Sequence, residues 1–263
     1  MSSGPPVAIA ARLAQAPALL IVCEFDGTIA EFVNDPAVAR PVGGALDVLT
    51  TLGSLLRTRA AVISGRSLDS LRAVCMTGRT DGSSCGIELI GSGGMEIDSQ
   101  LTLGLTAEAR RMRRRLLVAA GQVAELHPGV TVDEKPYGVA LHVRGVAAAD
   151  AQNATALLLD IARTLPQRVY SQSRNDVLDL SVLPLGQDWA IDALRQGSGE
   201  TVFYAGNDER ALASLSGPDV GCSVGGCTNA TFFLQRPEEV VQFLIELGHA
   251  RQRVLSDSGT RGV

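Results

Sequence analysis

The sequence predicts an α/β fold in which a small α+β segment is inserted into a parallel-sheet domain. Short apolar runs alternate with helical patterns toward both ends of the chain, which is typical of βαβ units. The pattern changes at about residue 104, where a long arginine-rich helix is followed by paired strands and a second helix. After Pro184 the α/β alternation returns. We therefore expect a core domain over 18–103 and 184–249, an inserted domain over 104–183, and flexible termini over 1–17 and 250–263.

The individual elements follow from hydrophobic periodicity and turn residues. In the first part of the core we expect strands at 19–25, 60–64 and 88–91, and helices over 43–55 and from 67. In the insertion we expect helices over 107–126 and 147–165, and strands at 130–134, 138–144, 168–172 and 177–183. The rest of the core should hold a helix from 188, strands at 201–204 and 221–224, and a last helix over 237–247.

Composition and charge exclude several classes of protein. Hydrophobic residues make up 46% of the 263 positions and charged residues 19%, which excludes a disordered chain. The net charge of -5 gives no general attraction to nucleic acid or anionic lipid, so neither is expected as a partner. No run reaches the roughly 18 apolar residues needed to cross a bilayer, and the first residues do not read as a signal peptide. We therefore expect a cytoplasmic protein.

The five cysteines are odd in number and contain no CxxC pair, so neither a zinc site nor a disulfide framework is indicated. We expect them to be ordinary small residues, most of them buried. They are Cys23, Cys75, Cys85, Cys222 and Cys227.

The first candidate site follows the first predicted strand, where doubly wound sheets place their ligands. It reads Glu24-Phe25-Asp26-Gly27-Thr28. Glu24 and Asp26 point the same way because side chains alternate along an extended segment. Gly27 permits a tight turn, and Thr28 adds a hydroxyl and a backbone N–H that suit an oxyanion.

A second hydroxyl and glycine follow the next core strand, in Ser64-Gly65-Arg66-Ser67. This segment leads into a helix N-terminus, which is a favourable place for an anion. Each segment alone is a weak signal. Together, and in this order, they predict an anion-binding site at the carboxyl edge of the sheet.

From about Ala18 to Gly248 the sequence resembles the trehalose-6-phosphate phosphatases of the haloacid dehalogenase superfamily. The opening pattern Asp-x-Asp-Gly-Thr of that family is similar to Glu24–Thr28, and its Ser-Gly-Arg pattern matches Ser64–Arg66. Further matches are Asp35-Pro36, Arg40-Pro41, and the set Asp133, Lys135, His142 and Arg144. The segment Gly91-Ser92-Gly93-Gly94-Met95-Glu96 is similar to the family's Gly-x-His-Gly-x-Glu but has lost the histidine.

The resemblance implies a Rossmann-like core with helices on both faces of a parallel sheet, and an inserted cap that recognises the sugar. Glu24 would take the nucleophile's place and Asp26 that of the general acid and base. Thr28 and Ser64 would hold phosphate oxygens, with Gly27, Gly65 and Arg66 beside them. Mg²⁺ would be held by the Glu24 carboxylate, the Asp26 backbone carbonyl, Asn207 and Asp208. In the cap, Glu96, Asp133, Lys135 and Asp179 would face the sugar hydroxyls or the phosphate.

Three motifs depart from the family pattern at their charged centres. Glu24 replaces the nucleophilic aspartate, and a displacement of about 1 Å at such a site costs on the order of 100-fold in rate. The motif that supplies a lysine beside the phosphate is Gly186-Gln187-Asp188-Trp189-Ala190 here, and Lys135 is the sole lysine of the chain. The last motif reads Gly206-Asn207-Asp208-Glu209-Arg210, so an amide replaces an acid. Candidates for the missing cation are Arg66, Arg174 and Arg210.

Two functions from different classes remain open at this stage. One is a binding protein of the trehalose pathway that holds a phosphorylated disaccharide, such as trehalose 6-phosphate, with weak or absent hydrolysis, and that acts as a sensor or as a partner of another protein of the pathway. The other is an active Mg²⁺-dependent phosphohydrolase that releases the free sugar and phosphate.

Some residues also have a purely structural alternative. Glu24 could be a buried acid held by hydrogen bonds with no covalent role, and His142 a packed residue rather than a base. Trp189 is expected to pack in the core. The arginines at 110, 111, 113, 114 and 115 are expected to form a solvated helix face, with a phosphate or partner patch as the alternative.

Overall fold

The computed structural model describes residues 6–33, 35–76, 86–98, 105–174, 176–183, 186–195, 199–226 and 229–259. The chain divides into two compact units. The core unit comprises Met1–Leu101 and Gly186–Val263, and the cap unit comprises Thr102–Leu185. The predicted boundaries at 103/104 and 183/184 lie within two residues of this division.

The elements in chain order are as follows. The first part of the core unit holds α1 Pro6–Ala14, β1 Leu19–Glu24, α2 Ala45–Gly53, β2 Thr58–Ile63, α3 Leu68–Met76, β3 Glu88–Gly91 and β4 Glu96–Ile97. The cap unit holds α4 Ala107–Leu126, β5 Thr131–Lys135, β6 Gly138–His142, α5 Ala148–Thr164, β7 Tyr170–Arg174 and β8 Val177–Ser181. The core unit continues with α6 Gln187–Arg195, β9 Thr201–Ala205, α7 Glu209–Ser214, β10 Val220–Val224, β11 Phe232–Leu234 and α8 Pro237–Gly259.

The core sheet has the strand order β11-β10-β9-β1-β2-β3-β4. All neighbouring pairs are parallel except β3 and β4. The strand β1 lies between β2, which follows it in the chain, and β9, which comes after the inserted cap. This is the point where the strand order reverses, and ligands of open α/β sheets bind at the carboxyl ends of the strands there.

Both faces of the core sheet are covered by helices, which explains why its strands read as nearly continuous apolar runs. Leu19, Ile21 and Cys23 of β1 pack in one apolar cluster with residues of α1, α2 and α8. Leu20 and Val22 belong to a second cluster on the opposite face, with residues of α6 and α7. Trp189 packs against this second cluster, as predicted.

The cap unit is a four-stranded antiparallel sheet with the order β5-β6-β8-β7. Its apolar cluster joins residues of α4 and α5 to the inward positions of the strands, such as Leu141 and Leu180. Gly138 is required where β6 passes β8, because a Cβ atom there would lie 1.8 Å from the carbonyl oxygen of Leu180.

The prediction of flexible termini was wrong for residues 6–14 and 250–259, which are helical. Leu13 and Ala14 of α1 are buried in the core cluster, and Arg251 of α8 is also buried. The Arg251 guanidinium donates to the carbonyl oxygens of Ala14 and Ala16 and to Thr58 Oγ1. Arg251 therefore links α8 to the residues that follow α1 and to β2. The polarity of this residue alone did not indicate that it is buried. Residues 1–5 and 260–263 lie outside the described residues.

Three short elements, β4, α7 and β11, were not predicted, because two to six residues carry too little periodicity to be recognised. Cys23, Cys75 and Cys222 are buried free thiols, as predicted, whereas Cys85 and Cys227 lie outside the described residues. Among the helices that the structure describes, none is both long and apolar enough to span a bilayer.

Candidate functional site

Glu24, at the carboxyl end of β1, is held between two uncharged donors. Gln187 Nε2 donates to Glu24 Oε1 at 2.5 Å, and the backbone N–H of Asn207 donates to Glu24 Oε2 at 2.8 Å. The side chain is only 9% exposed. Both carboxylate oxygens are therefore engaged as acceptors.

A chain of hydrogen bonds fixes the orientation of the Gln187 amide. The Tyr204 hydroxyl donates to Gln187 Oε1 at 2.9 Å, and it accepts from the backbone N–H of Asp208 at 3.3 Å. Because Gln187 Oε1 is bound to Tyr204, its amide nitrogen must face Glu24. Gln187 thus lies against the carboxylate, in the motif where the resemblance expects a lysine, and it brings no charge there.

The longer side chain of Glu24 fits beside Tyr204 because residue 206 is glycine. A Cβ atom on Gly206 would lie 2.6 Å from Glu24 Cγ and 2.6 Å from the Tyr204 hydroxyl oxygen. Tyr204 was not predicted as a site residue. The sequence offered one signal, a hydroxyl-bearing aromatic at the end of a buried strand two residues before this glycine.

Asp26, the predicted general acid and base, forms a two-point ion pair with Arg66. Arg66 Nε lies 2.9 Å from Asp26 Oδ2, and a terminal guanidinium nitrogen lies 2.6 Å from Oδ1. Ser64 Oγ also donates to Asp26 Oδ2, at 3.2 Å. The guanidinium carbon stands 5.3 Å from the centre of the Phe25 ring, which adds a cation–π contact. Both side-chain oxygens of Asp26 therefore accept hydrogen bonds from neighbouring donors.

The two predicted phosphate hydroxyls differ in their surroundings. Ser64 Oγ is engaged by Asp26 and also accepts from the backbone N–H of Arg66 at 3.2 Å. Thr28 Oγ1 is buried and has no hydrogen-bond partner within the described residues. A buried polar atom without a partner costs about 1–3 kcal/mol. Thr28 therefore presents a hydroxyl that an oxygen of a ligand would satisfy.

Gly27 and Phe32 shape the turn that carries Thr28. Gly27 has a φ of +77°, which favours glycine, and a Cβ atom there would lie 2.1 Å from a ring carbon of Phe32. Its backbone N–H donates to the carbonyl oxygen of Ala30 at 2.7 Å, and that of Thr28 to Phe25 at 3.3 Å. These two amides are engaged in the turn, so the predicted oxyanion role falls to the Thr28 hydroxyl.

The residues predicted to bind Mg²⁺ are engaged elsewhere. Asn207 Oδ1 accepts from Ser223 Oγ at 2.9 Å and from the backbone N–H of Val224 at 3.1 Å, and its amide nitrogen donates to the Val224 carbonyl. Asp208 Oδ1 caps α7 by accepting from the backbone N–H of Ala211 at 2.8 Å. The Asn207 amide thus joins the ends of β9 and β10. It is the group that was predicted to bind the metal ion.

This arrangement does not fit a magnesium ion, although phosphatases of the haloacid dehalogenase type generally depend on Mg²⁺. Magnesium requires several oxygen ligands in a nearly octahedral array. Of the expected ligands, the Glu24 carboxylate and the Asn207 amide oxygen each already accept two hydrogen bonds. Within the described residues, no group of three or more His, Cys, Asp or Glu side chains is placed to hold a metal ion.

Glu96 lies in the core unit, on β4, and not in the cap where it was expected. Its Oε2 atom accepts from the backbone N–H of Leu68 at 2.9 Å and from Ser92 Oγ at 2.6 Å. The acid therefore anchors the start of α3 to the segment that follows β3. Its predicted contact with the sugar stays a prediction.

The cap residues predicted to recognise the sugar share one face of the cap sheet. The pairing register places Asp133 opposite Ala140, Ala140 opposite Asp179, and Asp179 opposite Gln172. Lys135, two residues along β5, lies on the same face and pairs with Asp133 at 2.8 Å. The inward positions of these strands form the apolar cluster with α4 and α5, so this row is the polar face of the sheet.

His142 lies on the same face of β6 as Ala140. Burial lowers its pKa most strongly; Asp133 opposes this effect, and Lys135 and Arg144 add to it. The side chain is thus a half-buried histidine for which the fold favours the neutral form. The packing role and the catalytic role of His142 both stay predictions.

The candidate replacements for the missing lysine have other partners. Arg66 is paired with Asp26, and Arg210 pairs with Asp188 Oδ2 at 2.7 Å. The side chain of Arg174 lies outside the described residues.

Comparison with known proteins identifies relatives over nearly the whole chain. The trehalose-phosphatase family model matches residues 22–175. A trehalose-phosphate phosphatase of Mycolicibacterium paratuberculosis is 32% identical over 262 residues, which cover 88% of this chain and 62% of that protein. The chain thus spans less than two thirds of the length of this curated relative.

Two solved structures share the fold at low sequence identity. The C-terminal domain of Candida albicans trehalose-6-phosphate phosphatase superposes with a TM-score of 0.78 at 15% identity, covering 94% of this chain and 97% of that chain. The C-terminal domain of Candida albicans trehalose synthase regulatory protein has a TM-score of 0.64 at 12% identity, covering 93% and 99%. Together with the family model, which covers more than half of the sequence, these findings show that the chain belongs to the trehalose-phosphatase family.

Proposed function

We propose that the chain binds a phosphorylated disaccharide, such as trehalose 6-phosphate, and hydrolyses it weakly or not at all. The observation that carries the proposal is the two-point ion pair between Asp26 and Arg66. A general acid must carry a proton and deliver it to the leaving oxygen. A carboxylate held by a guanidinium on both oxygens is an acceptor, and it must first leave Arg66 to act as a donor.

The replacement of the motif lysine points in the same direction. Gln187 donates to Glu24 from a neutral amide, so it keeps the hydrogen bond and loses the positive charge. Fixed cations beside a transferring phosphoryl group contribute on the order of 10³-fold or more in rate. The lost contributions do not simply multiply, because catalytic groups act as a unit. Even one such loss is enough for slow turnover.

Ligand binding is supported in each unit separately. In the core unit, the buried Thr28 hydroxyl lacks a partner within the described residues and suits a phosphate oxygen. In the cap unit, Asp133 and Asp179 stand on one polar face, and carboxylates accept hydrogen bonds from sugar hydroxyls. Because the Glu24 carboxylate and the Asn207 amide oxygen already accept hydrogen bonds from the protein, we propose that binding proceeds without Mg²⁺.

The alternative is an active Mg²⁺-dependent phosphohydrolase, and family membership favours it. The relatives named above are described as phosphatases, but the same fold occurs in a protein described as a trehalose synthase regulatory protein. The fold alone therefore does not decide between hydrolysis and recognition. For a recognition protein, a second protein of the trehalose pathway is the partner we propose.

Calorimetric titration with trehalose 6-phosphate, and with trehalose as the ligand without phosphate, tests the proposal. Thr28→Val is the informative variant, because it removes an unpartnered buried hydroxyl and should leave the stability unchanged or raised. We expect it to weaken trehalose 6-phosphate binding about tenfold, the loss of one charge-assisted hydrogen bond. Thr51→Val, on the exposed side of α2, is the matched control and should bind as the unaltered chain does.

The state of the ligand after the titration completes the test. Phosphorus NMR of the mixture should show intact trehalose 6-phosphate with or without Mg²⁺. Rapid conversion to inorganic phosphate would favour the phosphohydrolase. Equal affinity for trehalose and trehalose 6-phosphate would contradict a phosphate site at Thr28.

A further inference from the structure

A cavity of about 480 Å³ lies in the cap unit, between α4 and the β5–β6 hairpin. One face of α4 contributes Arg110, Arg113, Arg114 and Leu117, which have the spacing of neighbours on a helix surface. The hairpin contributes Glu134 and Tyr137. The volume lies within the range of small-molecule pockets, which is roughly 300–1,000 Å³.

The charge in this cavity is opposite to that of the chain as a whole. Three arginines face one glutamate, in a protein whose net charge is -5. Arg113 pairs with Glu134 at 2.7 Å and donates to the Lys135 carbonyl at 2.7 Å, so it ties α4 to β5. This leaves the charges of Arg110 and Arg114 uncompensated by acidic side chains within the described residues.

Arg110 and Arg114 are exposed and suited to bind an anion. Arg110 donates to the carbonyl oxygen of Leu105 at 2.5 Å, which holds its side chain at the rim of the cavity. A guanidinium has five N–H donors, so this contact uses only part of its capacity. Planar guanidinium groups match the oxygens of a phosphate group at two points.

The cavity is separate from the polar face of the cap sheet. Glu134 alternates along β5 with Asp133 and Lys135, so its side chain points to the opposite face, against which α4 packs. Leu117 and the buried Tyr137 give the cavity an apolar wall. A ligand here would therefore be bound independently of the one proposed above.

We propose that this cavity binds a small phosphorylated molecule that carries at least two negative charges, and that Arg110 and Arg114 hold its phosphate. The concave shape and volume favour a small molecule over an acidic protein surface. Arg111 and Arg115 lie on the same helix and do not line the cavity, so they provide an internal comparison.

Inorganic pyrophosphate is the probe for this site, titrated into the full chain and followed by backbone amide NMR and calorimetry. We expect saturable binding with shifts at residues 110–117 and at residues 134, 135 and 137. The double variant Arg110→Gln with Arg114→Gln should weaken the affinity about tenfold or more, since it removes two charged donors. The matched control, Arg111→Gln with Arg115→Gln, removes the same charge outside the cavity and should change the affinity less than about twofold.

Three results would overturn the proposal. The first is an equal loss of affinity in the two double variants, which would indicate diffuse electrostatics. The second is a set of shifts confined to residues outside the cavity, such as those around Thr28. The third is no saturable binding of pyrophosphate at millimolar concentration. Thermal unfolding of both double variants verifies that they remain folded.

Discussion

Arg66 binds both carboxylate oxygens of Asp26, with nitrogen–oxygen distances of 2.9 and 2.6 Å. The two residues follow neighbouring parallel strands, β1 and β2, and meet where the strand order of the core sheet reverses. The arginine that the family pattern places beside the anion site is thus bound to the acid that catalysis would need. This relationship is the structural basis for proposing recognition without efficient hydrolysis.

We predict an energetic coupling between Asp26 and Arg66 that a double-mutant cycle in urea unfolding will measure. Asp26→Asn, Arg66→Gln and the double variant should give an interaction free energy of about 1–3 kcal/mol, because the pair is largely shielded from solvent. The exposed pair Arg163 and Asp160 provides the control, and its cycle should give less than about 0.5 kcal/mol. Additive effects at Asp26 and Arg66 would show that the pair contributes nothing specific.

We predict that Gln187→Leu lowers the free energy of unfolding by about 1–3 kcal/mol, since it removes the donor to Glu24 Oε1 and the acceptor of the Tyr204 hydroxyl in a buried site. Gln242→Leu makes the same chemical change at an exposed position of α8 and should lie within about 0.5 kcal/mol of the unaltered chain. Chemical unfolding measures both. Equal effects at the two positions would mean that the Glu24–Gln187–Tyr204 chain does not stabilise the fold.

The larger elements of this fold were predictable because their periodicity is strong. The helix α4 has the bounds expected from its arginine-rich pattern, and β1 and β9 lie where their apolar runs lie. The bounds of α8 were not predictable, because Arg251 looks like a surface residue until its carbonyl partners are known. Long-range partners of this kind leave no local signal in the sequence.

Arg251→Ala should lower the free energy of unfolding by about 2–3 kcal/mol, the cost of losing charged hydrogen bonds to buried carbonyl oxygens. Arg253→Ala, on the exposed side of the same helix, is the matched control and should change it by less than about 0.5 kcal/mol. Urea unfolding decides between the two. A negligible effect of Arg251→Ala would restore the expectation that this end of the chain is flexible.

The lowered pKa of His142 predicts how the free energy of unfolding depends on pH. Burial lowers its pKa in the folded state, so the unfolded chain binds a proton at this residue more readily than the folded chain does. The stabilisation is therefore fully present above the ordinary value of 6.5 and is lost as the pH falls below it toward the folded value. His142→Gln should show a shallower loss of stability than the unaltered chain between about pH 7.5 and pH 5. Parallel curves would contradict the lowered pKa.

The sequence predicted which residues form the candidate site, but it did not predict their hydrogen-bond partners. Sequence patterns identified Asp26 as a position that keeps the family's acid. They identified Glu24 and Gln187 as positions where the family's aspartate and lysine are replaced. They could not show that Arg66 binds Asp26 or that the Asn207 amide turns to β10, because rotamers and partners depend on packing. The role of Glu24 as a buried acid held by hydrogen bonds was among the stated alternatives, and the geometry agrees with it.

Phosphate release from trehalose 6-phosphate, measured with and without Mg²⁺ beside the Asp26→Asn variant, tests the central claim most directly. We predict release no faster than that of the variant under either condition, while calorimetry shows that the sugar phosphate binds. Mg²⁺-dependent release that disappears in Asp26→Asn would contradict this account, because it would show that Asp26 leaves Arg66 and serves as the general acid.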